Sequence, residues 1–156
     1  MAPATLDHAA ILALIPHQGP MCLLDRVVSW DETRIECVAV NHRDPRHPLR
    51  SASGLLASAA IEYAAQAMAV HGALRAAAGG ARSAPGFLAS ARDVRLACWR
   101  LDDLPLVEPD ELVVTSERQA ADAARILCAF RLHHGGRELA CGRVAVVLGA
   151  ALAATP

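Results

Sequence analysis

Glu62 and Gln66 stand four residues apart in Ile61-Glu62-Tyr63-Ala64-Ala65-Gln66-Ala67, a spacing that places two side chains on one face of a helix. Between Ala59 and Val70 the other side chains are small or apolar on every face, Tyr63 being half an exception. That pattern marks a helix buried all round. A carboxylate inside an apolar wall is costly unless it is partnered or neutralised, so two readings of Glu62 are open. It is a structural carboxylate satisfied by Gln66, or a proton-handling group tuned by its surroundings. Upstream lie His17, in a Pro-His turn, and His42 and His47, in a polar loop. Histidine changes charge near neutral pH, and a histidine with a carboxyl makes the parts of a general acid–base pair. No Walker, dinucleotide or zinc-ligand pattern is present, so neither metal nor nucleotide is expected.

The elements that must position these groups follow from the pattern. Leu6 to Leu14 reads as a short amphipathic helix, ended by Ile15-Pro16 because proline disfavours helical geometry before it. Pro16 to Pro20 is a turn, and Met21 to Trp30 and Arg34 to Val40 read as strands. Asn41 to Ser53 is a polar loop holding Pro45 and Pro48. Ala57 to Ala78, rich in strong helix formers, reads as one helix of about 33 Å. Ala78 to Ser83 links it to four strands, Gly86–Leu101, Glu111–Arg118, Ala123–His134 and Arg137–Leu148. His133-His134-Gly135-Gly136 is a tight hairpin turn between the last two. The tail from 150 to 156 is expected to fray. Helices packed on one face of an antiparallel sheet make an α+β domain. A curved sheet wrapped around one apolar helix is the hot-dog arrangement.

Bulk properties narrow the classes of function. The 156 residues suit a single domain, 1–156 with its core at about 6–149, and 54% are hydrophobic but only 3% aromatic, so aliphatic side chains build the core. A net charge of -1 argues against nucleic acid as a partner. All 15 cationic residues are Arg. Arg43, Arg46, Arg50 and Arg82, in loops, would suit an acidic carrier protein or an ordinary solvated surface. No apolar run is long enough to span a membrane, and the first residues lack a basic region before an apolar stretch, so a cytoplasmic protein is expected. The five cysteines, Cys22, Cys37, Cys98, Cys128 and Cys141, show no metal or redox spacing and read as reduced core thiols.

Three segments carry a resemblance. Ile15-Pro16-His17-Gln18-Gly19-Pro20-Met21-Cys22-Leu23-Leu24-Asp25-Arg26-Val27-Val28 is similar to the opening strand of the β-hydroxyacyl-acyl-carrier-protein dehydratases. His47-Pro48-Leu49 resembles their active-site His-aromatic-Pro loop, and Ile61-Glu62-Tyr63-Ala64-Ala65-Gln66 their helix motif. Pro85-Gly86-Phe87-Leu88 resembles an element of a divergent bacterial branch, some of whose members accompany aryl-polyene synthesis. The likeness runs from about Leu14 to Leu148. It departs at the loop, where Pro48 directly follows His47 with no aromatic between, and at Gly54, which follows Ser53 rather than proline.

The resemblance implies dehydration of a 3-hydroxyacyl thioester, carried by acyl carrier protein, to the trans-2-enoyl thioester. His47 would take the C2 proton and Glu62 would protonate the departing hydroxyl. Backbone N–H groups near Gly54 and Leu55 would meet the thioester oxygen. Gln66 would hold Glu62, and His17 would be structural or line the pocket. The site would be shared in a dimer, with itself or with a related hot-dog subunit, His47 of one chain facing Glu62 of the other. His71 reads as a helix-end histidine, His133 and His134 as residues of an exposed turn, and Asp25-Arg26 as a structural pair. Two rivals share the fold: a thioesterase using a carboxylate to activate water, and a non-catalytic acyl-binding subunit.

Overall fold

The computed structural model describes residues 5–82, 84 and 86–149. The expected frayed tail at 150–156 lies outside them. Helix α1 (His8–Leu14) is capped by the Asp7 carboxylate, which accepts from the Ala10 N–H, and it ends before Pro16. Strands β1 (Arg26–Trp30) and β2 (Arg34–Ala39) follow. A 3-10 turn at Ala57–Ala59 leads into α2 (Ala60–Ala78). Strands β3 (Gly86–Leu96), β4 (Leu112–Ala121), β5 (Arg125–His134) and β6 (Arg137–Leu148) complete the chain. They form one sheet in the order β1-β2-β4-β5-β6-β3, every neighbouring pair antiparallel. Breaks of register in β1/β2, β3/β6, β4/β5 and β5/β6 are the kind of bulge that bends a sheet. Helix α2 packs against β2, β4, β5, β6 and β3, so the sheet wraps it: the hot-dog fold.

Most boundaries match the residue pattern, and the differences have causes. The first strand begins at Arg26 rather than Met21 because Met21 O and Leu23 N–H are bonded to the side chain of Gln66, not to another strand. β3 stops at Leu96 because the chain then crosses to the start of the long helix, where Ala57 N–H donates to Trp99 O and Leu101 N–H to Leu55 O. The hairpin at Gly135-Gly136 is realised with φ of 57° and 78°, the left-handed pair that suits strand twist.

Helix α2 is not buried all round. Tyr63, Ala64, Gln66, Ala67 and Val70 are sealed, but Glu62, Ala65, Ala69 and Gly72 are only half-buried. Those four positions follow one another at i, i+3, i+7 and i+10, one stripe of the helix. They form the floor of a cleft.

At the other end of the sheet, Asp110 ties the loop after β2 to the end of β5. Its Oδ1 accepts from Nε2 of His134 at 2.7 Å and of His42 at 3.2 Å, and its Oδ2 from Arg43 Nε at 2.6 Å. His134 is therefore buried, not part of an exposed turn. His42, Asp110 and His134 bring their ligand atoms within 4.8 Å of one another. The Arg43 guanidinium already supplies the cation, so the group is an ion-paired brace. The same contact removes Arg43 from the loop arginines free to meet a partner. His71, likewise buried, donates from Nε2 to Asp31 O.

The Arg43 hydrogen bond, helped by the two histidines, holds the Asp110 carboxyl well below the usual carboxylate range, and burial holds His42 below the ordinary histidine value. A carboxyl with a depressed folded pKa stabilises above its unfolded value, about 4, and loses that contribution as pH falls. A histidine with a depressed pKa stabilises in its neutral form, a contribution that fades below about pH 6.5. Melting temperature should therefore fall on acidification from pH 7.5 to 5 and again below about pH 4. Asp110→Asn should cost about 2 kcal/mol at neutral pH, measured by thermal melting, and shrink the lower step, to which Asp102 also contributes.

Candidate active site

The cleft beside α2 has a volume of about 400 Å³, enough for a small acyl group. Ala65, Ala69 and Gly72 form its floor, and Phe87, Leu88, Ile126 and Val146 its apolar wall. Among the described residues that line it, the titratable groups are His17 and Glu62. Glu62 also borders a second hollow, with Leu49, Leu56, Ser58 and Ile61.

Glu62 is held through one oxygen. Gln66 Nε2 donates to Glu62 Oε1 at 3.1 Å, and His17 Nε2 lies 3.3 Å from the same atom. No partner of Oε2 occurs among the described residues. Gln66, fully buried, cannot be turned over. Its oxygen accepts Leu23 N–H at 2.8 Å and its nitrogen donates to Met21 O at 2.8 Å, so only the nitrogen can face Glu62. The same two bonds hold the chain after the Pro16–Pro20 turn against α2, which is how His17, forty-odd residues earlier, comes to meet Glu62. The side chains of Glu62 and His17 are 30% and 29% exposed, so both are reachable from the cleft.

His47 lies elsewhere. It is 5% exposed, accepts the Leu49 N–H on Nδ1 at 3.1 Å and bonds Tyr63 Oη through Nε2 at 2.9 Å. Tyr63 passes the chain on, donating to Asn41 Oδ1 at 2.7 Å. Burial pushes the His47 ring below its ordinary value and the Tyr63 phenol above its own. Among the described residues no hydrogen bond or ion pair joins His47 to Glu62. The hollow that His47 borders is instead shared with Asn41, Asp44 and Asp25.

The backbone donors expected at Gly54 and Leu55 are engaged within the chain. Gly54 N–H bonds Ser51 O at 3.0 Å and Leu55 N–H bonds Asp102 Oδ1 at 3.1 Å. Asp102 also receives Arg100 and Arg50, and the Arg100 bond holds its carboxyl down at about 2. Gly54 has φ +94°, and a Cβ there would come within 2.5 Å of the Arg100 guanidinium, so glycine is required for this contact. Ser58 N–H, bordering the hollow beside Glu62, has no partner among the described residues.

The sheet wrapped around one long helix defines a hot-dog protein, here with a half-buried carboxylate at a cleft beside the helix, and comparison with known proteins agrees on the fold. The family model of the ApeP dehydratases matches residues 9–155. The chain belongs to the ApeP-like family and is a dehydratase. The dehydratase heterocomplex ApeI:P from Xenorhabdus doucetiae superposes with a TM-score of 0.79 at 22% identity, over 92% of this chain and 94% of that one. More distant hot-dog likenesses are thioesterases: one from Pseudomonas aeruginosa, TM-score 0.52 at 11% identity over 79% of each chain. Another, from Streptococcus pneumoniae with coenzyme A, gives 0.54 at 9% over 78% and 83%. A search among curated proteins found no significant match.

The Tyr63 hydroxyl is the middle link between buried His47 and half-buried Asn41. Tyr63→Phe should leave His47 Nε2 and Asn41 Oδ1 unpaired and destabilise the fold by about 1–3 kcal/mol, read as a lowered denaturation midpoint at constant slope.

Proposed function

We propose that this dehydratase removes water from a 3-hydroxyacyl thioester held on the phosphopantetheine arm of an acyl carrier protein. The product is the trans-2-enoyl thioester, in fatty-acid, polyene or polyketide-type synthesis. The observation that carries this reading is Glu62: a carboxylate tethered at Oε1, with no partner of Oε2 among the described residues, bordering an apolar cleft of about 400 Å³. An acyl chain fits apolar walls, and the elimination needs a proton moved from C2 to the C3 oxygen. No group on this route calls for a cofactor. The resembled dehydratases divide the proton between two residues, which here gives the C2 proton to His47 of a second chain. The alternative keeps both transfers on Glu62.

A second subunit is supported by the sheet edge. β3 is an edge strand with nearly all its residues exposed, Phe87 at 54% and Leu88 at 45% among them, and Trp99 just beyond it is 90% exposed. An open apolar edge invites another strand, from a second copy or from a related hot-dog subunit such as the ApeI:P heterocomplex pairs. Of the four loop arginines, Arg82 is exposed and Arg46, though it pairs with Asp44, is 90% exposed, so both suit an acidic carrier. Among the described residues no helix is long and apolar enough to cross a membrane.

Incubation with a 3-hydroxyacyl carrier thioester separates water loss from hydrolysis, since an enoyl thioester absorbs and free thiol is titratable. Thiol release without enoyl product would make the chain a thioesterase. Glu62→Gln should retain the wild-type melting temperature and lose at least about 10²-fold in turnover. Near-native turnover in that variant would reduce Glu62 to a structural role.

A further inference from the structure

We infer that Asp102, in the crossing from β3 to β4, is a positioning residue for His47. This rests on the dehydratase reading above, in which His47 takes the C2 proton, and adds what holds that histidine in place.

Residues 40–56, between β2 and the turn that opens α2, contain neither a helix nor a strand of the sheet. A stretch of that length without regular structure is uncommon in a compact domain unless it carries function, and a base placed on it has no rigid element beneath it. The loop is instead a run of turns. Asp44 N–H donates to Asn41 O at 3.1 Å, His47 N–H to Asp44 O at 3.0 Å, and Arg50 N–H to His47 O at 3.0 Å. Each turn starts where the last one ends, so the place of His47 is only as fixed as the two ends of the run.

Both ends are held by a second irregular stretch, residues 97–111. At the entry, the Arg43 guanidinium donates to Leu104 O at 2.9 Å, to Asp102 O at 3.4 Å and to the Asp110 carboxylate. At the exit, Arg50 Nη1 lies 2.9 Å from Asp102 Oδ2, and Leu55 N–H donates to Asp102 Oδ1 at 3.1 Å. Asp102 therefore meets the entry with its backbone and the exit with its side chain. Arg100 fixes the plane of the carboxylate from behind, with Nε on Oδ1 at 3.0 Å and Nη2 on Oδ2 at 2.9 Å, a two-pronged contact that sets direction as well as distance. Arg50 links the carboxylate to the base: its side chain is on Asp102 and its N–H on the carbonyl of His47.

Stability alone does not ask for this arrangement. The Asp102 side chain is 2% exposed, and a carboxylate taken out of water between guanidinium groups gains little over apolar packing of the same volume. Geometry does ask for it. A reacting group displaced by about 1 Å can lose 10²-fold in rate, and His47 stands on a loop with no helix or strand to prevent such a shift. Apart from Arg100, the groups on the Asp102 carboxylate, Arg50 and Leu55 N–H, both belong to that loop.

The test compares Asp102→Asn and Arg50→Met with wild type, in the assembly that dehydrates a 3-hydroxyacyl pantetheine thioester, with rates referred to the folded fraction. Each variant should lose about 10²-fold in kcat with KM within a few-fold. The loss should fall on cleavage of the C2–H bond, so substrate deuterated at C2 should turn over more slowly than the protonated compound in both variants. A merely structural lesion lowers the melting temperature and the folded fraction but leaves kcat per folded protein near the wild-type value. Should Asp102→Asn not fold, Arg50→Met, which leaves the Arg100 contact with Asp102 in place, decides the matter. A kcat per folded protein within about threefold of wild type would overturn the inference, as would a loss of kcat with no isotope effect at C2. A wild type that only hydrolyses the thioester would instead defeat the function proposed above.

Discussion

The carboxamide of Gln66 is the bond on which the site depends. It is buried with no exposure, and its three partners allow one orientation: oxygen to Leu23 N–H, nitrogen to Met21 O and Glu62 Oε1. Turned over, it would set oxygen against oxygen at Met21 and N–H against N–H at Leu23. Each buried polar group so stranded costs about 1–3 kcal/mol. The amide therefore fixes three things at once: the path of the chain into β1, its distance from α2, and the rotamer of Glu62. His17 reaches the carboxylate only because that path is fixed.

A second constraint follows from wrapping a sheet around one helix. The helix must bury most of its surface, yet a substrate needs a way in. The chain meets both with the stripe Glu62, Ala65, Ala69 and Gly72, where short side chains leave room between α2 and the wall of Phe87, Leu88, Ile126 and Val146. Ala is the strongest helix former, so the stripe costs the helix little; Gly72 costs about 1 kcal/mol relative to Ala. Small residues thus serve helix stability and open space together.

Much of this was legible in the residues. The long helix showed as an Ala-rich run, the hairpin as Gly135-Gly136, and the sheet as alternating strands, because each is specified by local pattern. The family too was readable, from short motifs in the right order. What local pattern cannot carry is the partner of a polar group distant in sequence. Met21 to Asp25 has the composition of a strand, and only the position of Gln66 takes its backbone out of the sheet. His134 adjoins a tight turn and looks exposed, but Asp110, 24 residues earlier, draws it inward. Gly54 and Leu55 read in the sequence as a helix start, where free N–H groups are the rule, but the helix begins only at Ala60 and Ser51 and Asp102 have claimed their N–H groups.

Histidines illustrate the limit most clearly. A sequence shows that a histidine is present and beside what, but proton transfer depends on the occupancy of two ring nitrogens. At His47 one is settled by an amide two residues on and the other by a tyrosine on α2; at His17 one is sealed and the other faces a carboxylate. Burial acts in the same direction. It makes the ring of His47 a rigid link in a chain of hydrogen bonds that runs through Tyr63 to Asn41. Glu62 has the opposite balance. One oxygen is immobilised and the other has no partner among the described residues at a half-exposed rim, so the side chain is fixed in place at one oxygen and open to the cleft at the other.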